Sequence, residues 1–76
     1  MAPLIIYVTA GCHLCEEAQG VVHAALGCCA PEVDIADRQE LVERYGARIP
    51  VLCRTDTGTE LGWPFGADQV RWLMAH

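Results

Sequence analysis

A short apolar run near the amino terminus limits the possible folds of this chain more than any other segment. Residues 4–9 are rich in branched and aromatic side chains and include no charged residue, which is typical of a central strand buried on both faces. Ala10 and Gly11 end that run, and apolar residues then recur at helical spacing over residues 12–26. The chain is therefore predicted to begin with a buried strand that passes directly into a helix, which Gly27 ends.

Shorter elements are predicted to alternate along the rest of the chain. Asp37 and Glu40 have the spacing of a capping box, with aspartate in place of serine or threonine, and favour a short helix that ends before Gly46. The turn signal Asp56-Thr57-Gly58 joins two short strands so closely that they must be antiparallel. The remaining predicted elements are strands at 32–35, 51–54 and 59–61 and a last helix that begins near Gly66 or Ala67. The order is βαβαββα, an α/β fold.

The length of the chain permits one domain. Its 76 residues would leave each of two halves below the size that usually folds alone, so residues 1–76 are interpreted as a single domain. The sequence is 53% hydrophobic and 20% charged, a balance that offsets the entropy of ordering and argues against disorder.

The charge balance and the hydropathy exclude several classes of partner. Ten acidic residues oppose five arginines and give a net charge of -5, so the chain would repel nucleic acid. No apolar stretch approaches the roughly 18 residues that span a bilayer, and no basic segment precedes the first apolar run as in a signal peptide. We therefore expect a cytoplasmic monomer with no membrane partner, in which most of the cysteines stay reduced.

The motif with the clearest chemical content is Cys12-His13-Leu14-Cys15, at the predicted junction of strand and helix. Unpaired N–H groups and the helix dipole stabilise a thiolate in the first helical turn, which makes Cys12 the predicted nucleophile. Cys15 lies three residues on, on the inward stripe of the helix, and should be the more buried sulfur. Thiol-disulfide exchange requires such a pair, because an exposed thiolate attacks a disulfide and a shielded neighbour resolves the mixed disulfide. Two incidental structural thiols are the plainer alternative.

Metal binding is a second interpretation of the same motif. Zinc would need two more ligands in suitable geometry. The candidates are Cys28, Cys29, Cys53 and His23. Adjacent cysteines are not the usual second half of a zinc site, so no metal site is predicted. Cys28 and Cys29 follow the first helix, across the domain from Cys12, and are expected to be bystanders, whereas Cys53 is expected to pack in the core.

Two further features are predicted to lie beside the nucleophile. A protonated imidazole at His13 would favour the neighbouring thiolate, and a solvent-facing spacer without function is the alternative. Pro50 opens a predicted central strand, where its missing N–H is unfavourable, so something other than pairing requires it. A cis Ile49-Pro50 bond would explain this by presenting the Ile49 backbone to an extended ligand, and an ordinary trans proline is the alternative. The apolar group Trp63-Pro64-Phe65 is expected to cover the core, and contact with a partner is the alternative.

With these residues identified, the chain resembles the glutaredoxin-like proteins of the thioredoxin superfamily over nearly its whole length. Residues 4–15 resemble the strand and the Cys-x-x-Cys turn, residues 49–52 the strand with the cis-proline, and residues 60–68 the terminal glycine-containing loop. The resemblance is closest to compact bacterial glutaredoxin-like proteins whose role is often unassigned. It implies a four-stranded mixed sheet flanked by three helices and reversible dithiol-disulfide exchange at Cys12 and Cys15, with no bound cofactor.

The resemblance also implies a substrate site. Gly62 and Asp68 fall in the loop that receives the amino end of glutathione in the family. Together with His13, Ile49 and Pro50 they are the predicted substrate-binding residues.

The partners follow from the same resemblance. Many glutaredoxins carry a lysine where this chain has Thr9 and a Pro-Tyr or Pro-Phe spacer where it has His13-Leu14, and these departures weaken the electrostatics for glutathione. Glutathione is therefore one candidate substrate or reductant and a protein disulfide is another, with a reducing partner of the thioredoxin or glutathione type. Two other functions stay open: a non-enzymatic module that docks a protein through the Cys12 and Pro50 surface, and a metal or iron–sulfur carrier.

Overall fold

The computed structural model describes residues 3–76, which form four strands and three α-helices. In chain order they are β1 (Leu4–Val8), α1 (His13–Leu26), β2 (Glu32–Asp34), α2 (Gln39–Tyr45), β3 (Val51–Arg54), β4 (Thr59–Gly62) and α3 (Ala67–Ala75). A short 3-10 turn, Ile35–Asp37, lies between β2 and α2. The predicted order βαβαββα is confirmed.

The strands form one mixed sheet in the order β2-β1-β3-β4. β1 runs parallel to β2 and antiparallel to β3, which in turn is antiparallel to β4. Tyr7 lies opposite Val51, and Val51 lies opposite Gly62. The end of β1, the start of β3 and the end of β4 therefore lie side by side at the same end of the strands. We call this end of the sheet the Val8 edge, after the last residue of β1.

The two faces of the sheet are covered by different helices. The larger cluster of buried side chains joins Ile6 and Leu52 of the sheet with Val22 of α1 and Leu73 of α3. Because side chains alternate between the faces of a strand, the neighbouring residues of β1 and β3 point the other way, into a smaller cluster that contains Tyr45 of α2. The sheet is a layer between α1 and α3 on one side and α2 on the other, as the predicted four-stranded architecture with three helices requires.

The predicted capping box before α2 was wrong. The residue that precedes α2 is Arg38, and its side chain makes no capping hydrogen bond. Asp37 belongs instead to the 3-10 turn, where the Asp34 side chain accepts the N–H of Ala36 at 2.9 Å. An aspartate three residues earlier than expected therefore caps the segment, and Arg38 forms an ion pair with Glu40.

The first strand is buried less evenly than predicted. Ile6 is fully buried, but Ile5 and Tyr7 on the other face are only half-buried, because α2 is shorter than α1 and covers less of the sheet. The strand ends at Val8, one residue before the predicted end. The end of α1 is confirmed, since Gly27 has a left-handed φ of +79° and donates its N–H to the His23 carbonyl at 2.8 Å.

Candidate active site

The loop that follows β1 places Cys12 at the start of α1. Gly11 has a φ of +74°, in the left-handed region that glycine adopts without strain, and this turns the chain from the strand into the helix. Cys12 then has an extended conformation with φ -90° and ψ 106° and is the N-cap residue of α1. Cys12 therefore lies at the junction of strand and helix, as predicted.

The sulfur of Cys12 satisfies a backbone donor of the first helical turn. The N–H of Cys15 donates to Cys12 Sγ over 3.2 Å, and the Cys12 carbonyl accepts the N–H of Glu16 at 3.4 Å. A cysteine here takes the part that serine or aspartate usually plays at a helix N-cap. This hydrogen bond fixes the Cys12 sulfur at the start of α1.

Cys15 is the shielded member of the pair, with 5% of its surface exposed. Burial is the main reason why its pKa is raised from 9.0 to about 11, followed by a hydrogen bond with the Cys12 side chain. The negative charges of Cys12 and Glu32 raise it further, while a hydrogen bond from the Thr9 backbone lowers it. Cys15 is therefore a protonated thiol at neutral pH, and the asymmetry predicted for the two sulfurs is present in their burial.

Cys12 and Cys15 both line one cavity of about 300 Å³ at the Val8 edge. The cavity has polar and apolar walls contributed by the end of β1, the first turn of α1 and the start of β2. Its lining residues are Val8, Thr9, Gly11, Cys12, His13, Cys15, Glu16 and Glu32. Three of the predicted site residues, Cys12, His13 and Cys15, are thus brought together.

His13 lies at the mouth of this cavity. Its side chain is 95% exposed, and its Nδ1 atom is 3.7 Å from Glu16 Oε2, one turn along α1. The imidazole therefore contacts a carboxylate as well as lying next to Cys12 in sequence. Glu16 would compensate part of any positive charge that His13 places near Cys12.

The Ile49-Pro50 peptide bond is cis, as predicted. The continued register of β1 and β3 places Pro50 opposite Val8 at the Val8 edge, but the Pro50 side chain is fully buried. The N–H of Ile49 donates to the Tyr45 carbonyl at 3.1 Å. The Ile49 N–H is therefore already bonded within the chain, in contrast to the expectation that the Ile49 backbone is presented to a ligand.

Ile49 and Pro50 do not line the cavity, and the remaining predicted site residues, Gly62 and Asp68, also lie outside it. Gly62 is the last residue of β4 and is exposed. After it, Trp63 donates its N–H to the Pro50 carbonyl at 3.2 Å, and Trp63-Pro64 is a second cis bond that was not predicted. Asp68 lies in the first turn of α3, where its almost fully exposed carboxylate pairs with Arg71.

Trp63 and Phe65 cover the larger core cluster, as expected. Their rings meet edge to face at 5.2 Å. Phe65 is buried in that cluster, and the half-buried Trp63 packs against it.

The other three cysteines lie away from Cys12. Cys53 is buried in β3, and burial is the first cause of its raised pKa. Cys28 is half-buried and Cys29 exposed, and both line a second, more apolar cavity of about 420 Å³ with Leu4 at the opposite end of β1. Within residues 3–76, no three histidine, cysteine or acidic side chains converge closely enough to hold a metal ion.

Glu32 is the site residue that sequence reasoning missed. It pairs in register with Ile6 in the parallel β1–β2 ladder, and Gln19 of α1 donates its Nε2 to Glu32 Oε2 at 3.2 Å. The same Gln19 side chain accepts the N–H of Ala30 at 3.0 Å and donates to its carbonyl at 2.8 Å. This network fixes the start of β2 against α1 and so brings a carboxylate to the cavity of the two sulfurs.

Within residues 3–76, none of the helices reaches the length and apolarity that a bilayer crossing demands.

Comparison with known proteins adds a family and two solved structures of one similar protein. The model of the glutaredoxin-like domain family (DUF836) matches residues 3–74. The X-ray structure of the Northeast Structural Genomics target protein XcR50 from X. campestris is similar with a TM-score of 0.84 and 38% identity, over 96% of this chain and 97% of that one. Its solution structure is similar with a TM-score of 0.83 and 39% identity, over 100% and 96% of the two chains. None of the curated proteins matches the chain.

Proposed function

The chain belongs to the glutaredoxin-like domain family (DUF836) and has its thioredoxin-like fold, and from this premise we propose that it is a thiol-disulfide oxidoreductase in which Cys12 is the nucleophile and Cys15 the resolving thiol. One observation carries the proposal. The half-buried Cys12 sulfur opens into a cavity and accepts a backbone N–H, while the second sulfur lies behind it, buried and protonated. A pair of core thiols would not need a cavity or this asymmetry.

The first step uses the helix N-terminus. The Cys12 thiolate attacks one sulfur of a substrate disulfide, a Cys12–substrate S–S bond forms, and the second substrate sulfur leaves as a thiolate. The Cys15 N–H that bonds Cys12 Sγ holds the attacking sulfur in a fixed direction. The open cavity gives the disulfide access from the Val8 edge.

The second step becomes easier because of the first. Once Cys12 is bound in the mixed disulfide, it no longer carries a negative charge, and two of the causes that raise the pKa of Cys15 weaken or disappear. Cys15 can then lose its proton and attack Cys12 Sγ, which forms the Cys12–Cys15 disulfide and releases the substrate sulfur as a thiolate. Two electrons pass from the protein to the substrate, and a thiol or dithiol reductant of the thioredoxin or glutathione type restores the pair.

The substrate-binding residues of this proposal are His13 at the cavity mouth and the Ile49 carbonyl beside buried Pro50. Gly62 is the last residue of β4, and Asp68 lies in the first turn of α3. They would contact only a ligand long enough to extend beyond the cavity.

A single-turnover experiment tests the proposal without a reducing partner. The protein is reduced, separated from the reductant and mixed with one equivalent of a peptide disulfide. The masses of the products are then measured by mass spectrometry. Wild type should release the peptide thiols and lose the mass of two hydrogens as the Cys12–Cys15 disulfide forms. Cys15→Ser should stop at the mixed disulfide, and Cys12→Ser should not react above the rate of a free thiol.

Cys29→Ser is the matched control, because Cys29 is an exposed cysteine at the other end of β1. It should behave as wild type. If Cys12→Ser reduced the peptide as fast as wild type does, the proposal would be wrong. If wild type captured a protein but reduced no disulfide, and Cys15→Ser captured it equally well, a non-enzymatic docking module would be the better interpretation.

A further inference from the structure

We propose that the disulfide accepted at this site is flanked by cationic residues of a peptide or protein, and that the site selects against anionic disulfides such as oxidised glutathione. The inference rests on the proposed function and names its substrate class. It follows from the charges around the cavity that Cys12 and Cys15 line. Among residues 3–76, no arginine or lysine side chain lines this cavity to bind a carboxylate of the substrate.

Two carboxylates form part of the cavity wall. Glu16 stands on the first turn of α1 and Glu32 at the start of β2, and both line the cavity that contains Cys12 and Cys15. Glu32 is held in place by the Gln19 amide, which binds only its Oε2 atom. The nucleophile adds a third negative charge when it is ionised.

The cationic side chains all face elsewhere. The chain has five arginines and no lysine, and none of the five lines the cavity. Each has a partner of its own: Arg38 pairs with Glu40, Arg48 with Glu60, Arg54 with Asp56 and Arg71 with Asp68, and Arg44 lies over the Tyr45 ring.

The other positive features of the cavity do not reverse this balance. His13 lines the cavity, but its imidazole contacts Glu16 at 3.7 Å, so the pair has no net positive charge in either protonation state, and Glu32 remains. At the start of α1, the Cys15 N–H is already bonded to the Cys12 sulfur. The partial positive charge of the helix thus acts on the nucleophile itself.

The substrate class follows from these charges. Glutathione carries more carboxylate than ammonium charge, so its approach to Glu16, Glu32 and the Cys12 thiolate is opposed. A lysine or arginine next to the substrate cysteine would lie within about 10 Å of the same groups, close enough for the attraction to act through the solvent. Cys12 then attacks the peptide sulfur, and the partner sulfur leaves as a thiolate, as in the general reaction.

Rates of mixed-disulfide formation test the inference. Cys15→Ser, which is expected to stop after the first step, is mixed with peptide disulfides that differ only in lysine, serine or glutamate beside the cysteine, and with oxidised glutathione. Each rate is divided by the rate of the same disulfide with 2-mercaptoethanol, because flanking charges also change intrinsic reactivity. We expect the lysine peptide to react about tenfold faster than the glutamate peptide at low ionic strength, and this ratio to shrink as salt is added.

Charge variants identify the source of the selectivity. Glu16→Gln alone, and together with Glu32→Gln, should lower the lysine-to-glutamate ratio. Glu17→Gln is the matched control, since Glu17 is also exposed on α1 but does not line the cavity. It should leave the ratio unchanged, and the exposed Glu16 can be replaced without disturbing the core.

The outcomes separate the inference from the proposed function. If the serine peptide reacts but the lysine-to-glutamate ratio is one or less, the inference is wrong and the proposed function stands. The same holds if Glu17→Gln lowers this ratio as much as Glu16→Gln does. Failure of every disulfide, including the serine peptide, to react faster than with 2-mercaptoethanol would overturn the proposed function and the inference together.

Discussion

The backbone N–H of Cys15 lies 3.2 Å from the sulfur of Cys12 and donates to it, so one residue supplies both a hydrogen-bond donor to the proposed nucleophile and the thiol proposed to displace it. The donor belongs to the first turn of α1, and the thiol lies below it in the core. The two functions of Cys15 are therefore separated between its backbone and its side chain.

Removal of the Cys12 side chain should lower the pKa of Cys15. In Cys12→Ala, the hydrogen bond and the charge that Cys12 contributes are gone, so the value should fall below about 11, but burial should keep it above the ordinary 9.0. The pH dependence of Cys15 alkylation, followed by peptide mass spectrometry, measures this. An unchanged Cys15 titration would mean that burial alone sets its pKa.

Alkaline pH should destabilise the fold through the same thiol. The pKa of Cys15 is about 11 in the folded state, higher than the ordinary 9.0. The contribution of Cys15 to the unfolding free energy is therefore fully present below pH 9.0 and is lost as the pH rises towards 11. A shift of this size corresponds to roughly 2–3 kcal/mol at the upper end. Urea unfolding of the reduced protein should show the loss.

Cys15→Ser is the comparison for this pH profile, because serine does not titrate in this range. Its unfolding free energy should fall less over the same pH interval. The pKa values of Cys53 and Tyr45 are also raised in the folded state, so these groups add to the pH dependence of both profiles. The difference between the two profiles, and not the wild-type profile alone, measures the contribution of Cys15. Parallel profiles would contradict the prediction.

Gln19→Ala should destabilise the protein by about 2–3 kcal/mol, since it removes two hydrogen bonds to the buried Ala30 backbone and leaves both groups unsatisfied. It also frees Glu32 from α1. Gln39→Ala is the control, because Gln39 makes only an exposed contact with Glu43 and should cost less than about 0.5 kcal/mol. Equal losses in the two variants would show that the Gln19 network contributes nothing specific.

Gly20 within α1 and Gly27 just after its end should respond oppositely to replacement by alanine. An added Cβ at Gly20 would meet no atom within 4 Å, so Gly20→Ala should raise the unfolding free energy by about 1 kcal/mol through helix propensity. Gly27 has a φ of +79°, so Gly27→Ala should lower it by about 1–2 kcal/mol. Chemical denaturation measures both, and the same sign for both variants would contradict the assignment of the helix end.

The fold could be predicted because its signals are local. The apolar run of β1, the helical periodicity after it and the Cys12–Cys15 spacing all lie within one stretch of sequence, and the structure has the strand, the helix and both cysteines where they were expected. The capping box failed because Asp34 competes for the same segment and caps the turn before α2. The sequence alone does not show whether Asp34 or Asp37 accepts a backbone N–H at the start of a helical segment, because this depends on the path of the backbone.

The site could be predicted only in part because its remaining walls come from distant segments. Glu32 reaches the cavity through the parallel pairing of β2 with β1 and through Gln19, thirteen positions earlier, and no local pattern encodes that meeting. The Ile49 N–H was expected to be available, but the chain leaving α2 presents the Tyr45 carbonyl to it. The substrate-binding roles of Gly62 and Asp68 stay predictions.

The hydrogen bond between the Ile49 N–H and the Tyr45 carbonyl has a consequence for the geometry of recognition. An extended peptide bound along this segment could donate an N–H to the Ile49 carbonyl. Its own carbonyl could not accept the Ile49 N–H, because that group already donates to the Tyr45 carbonyl. Pairing would be one-sided, in contrast to the reciprocal exchange of a β-ladder. A substrate held by a single such bond could rotate about it, so in the proposed reaction the register of the substrate cysteine opposite Cys12 would be set by side chains.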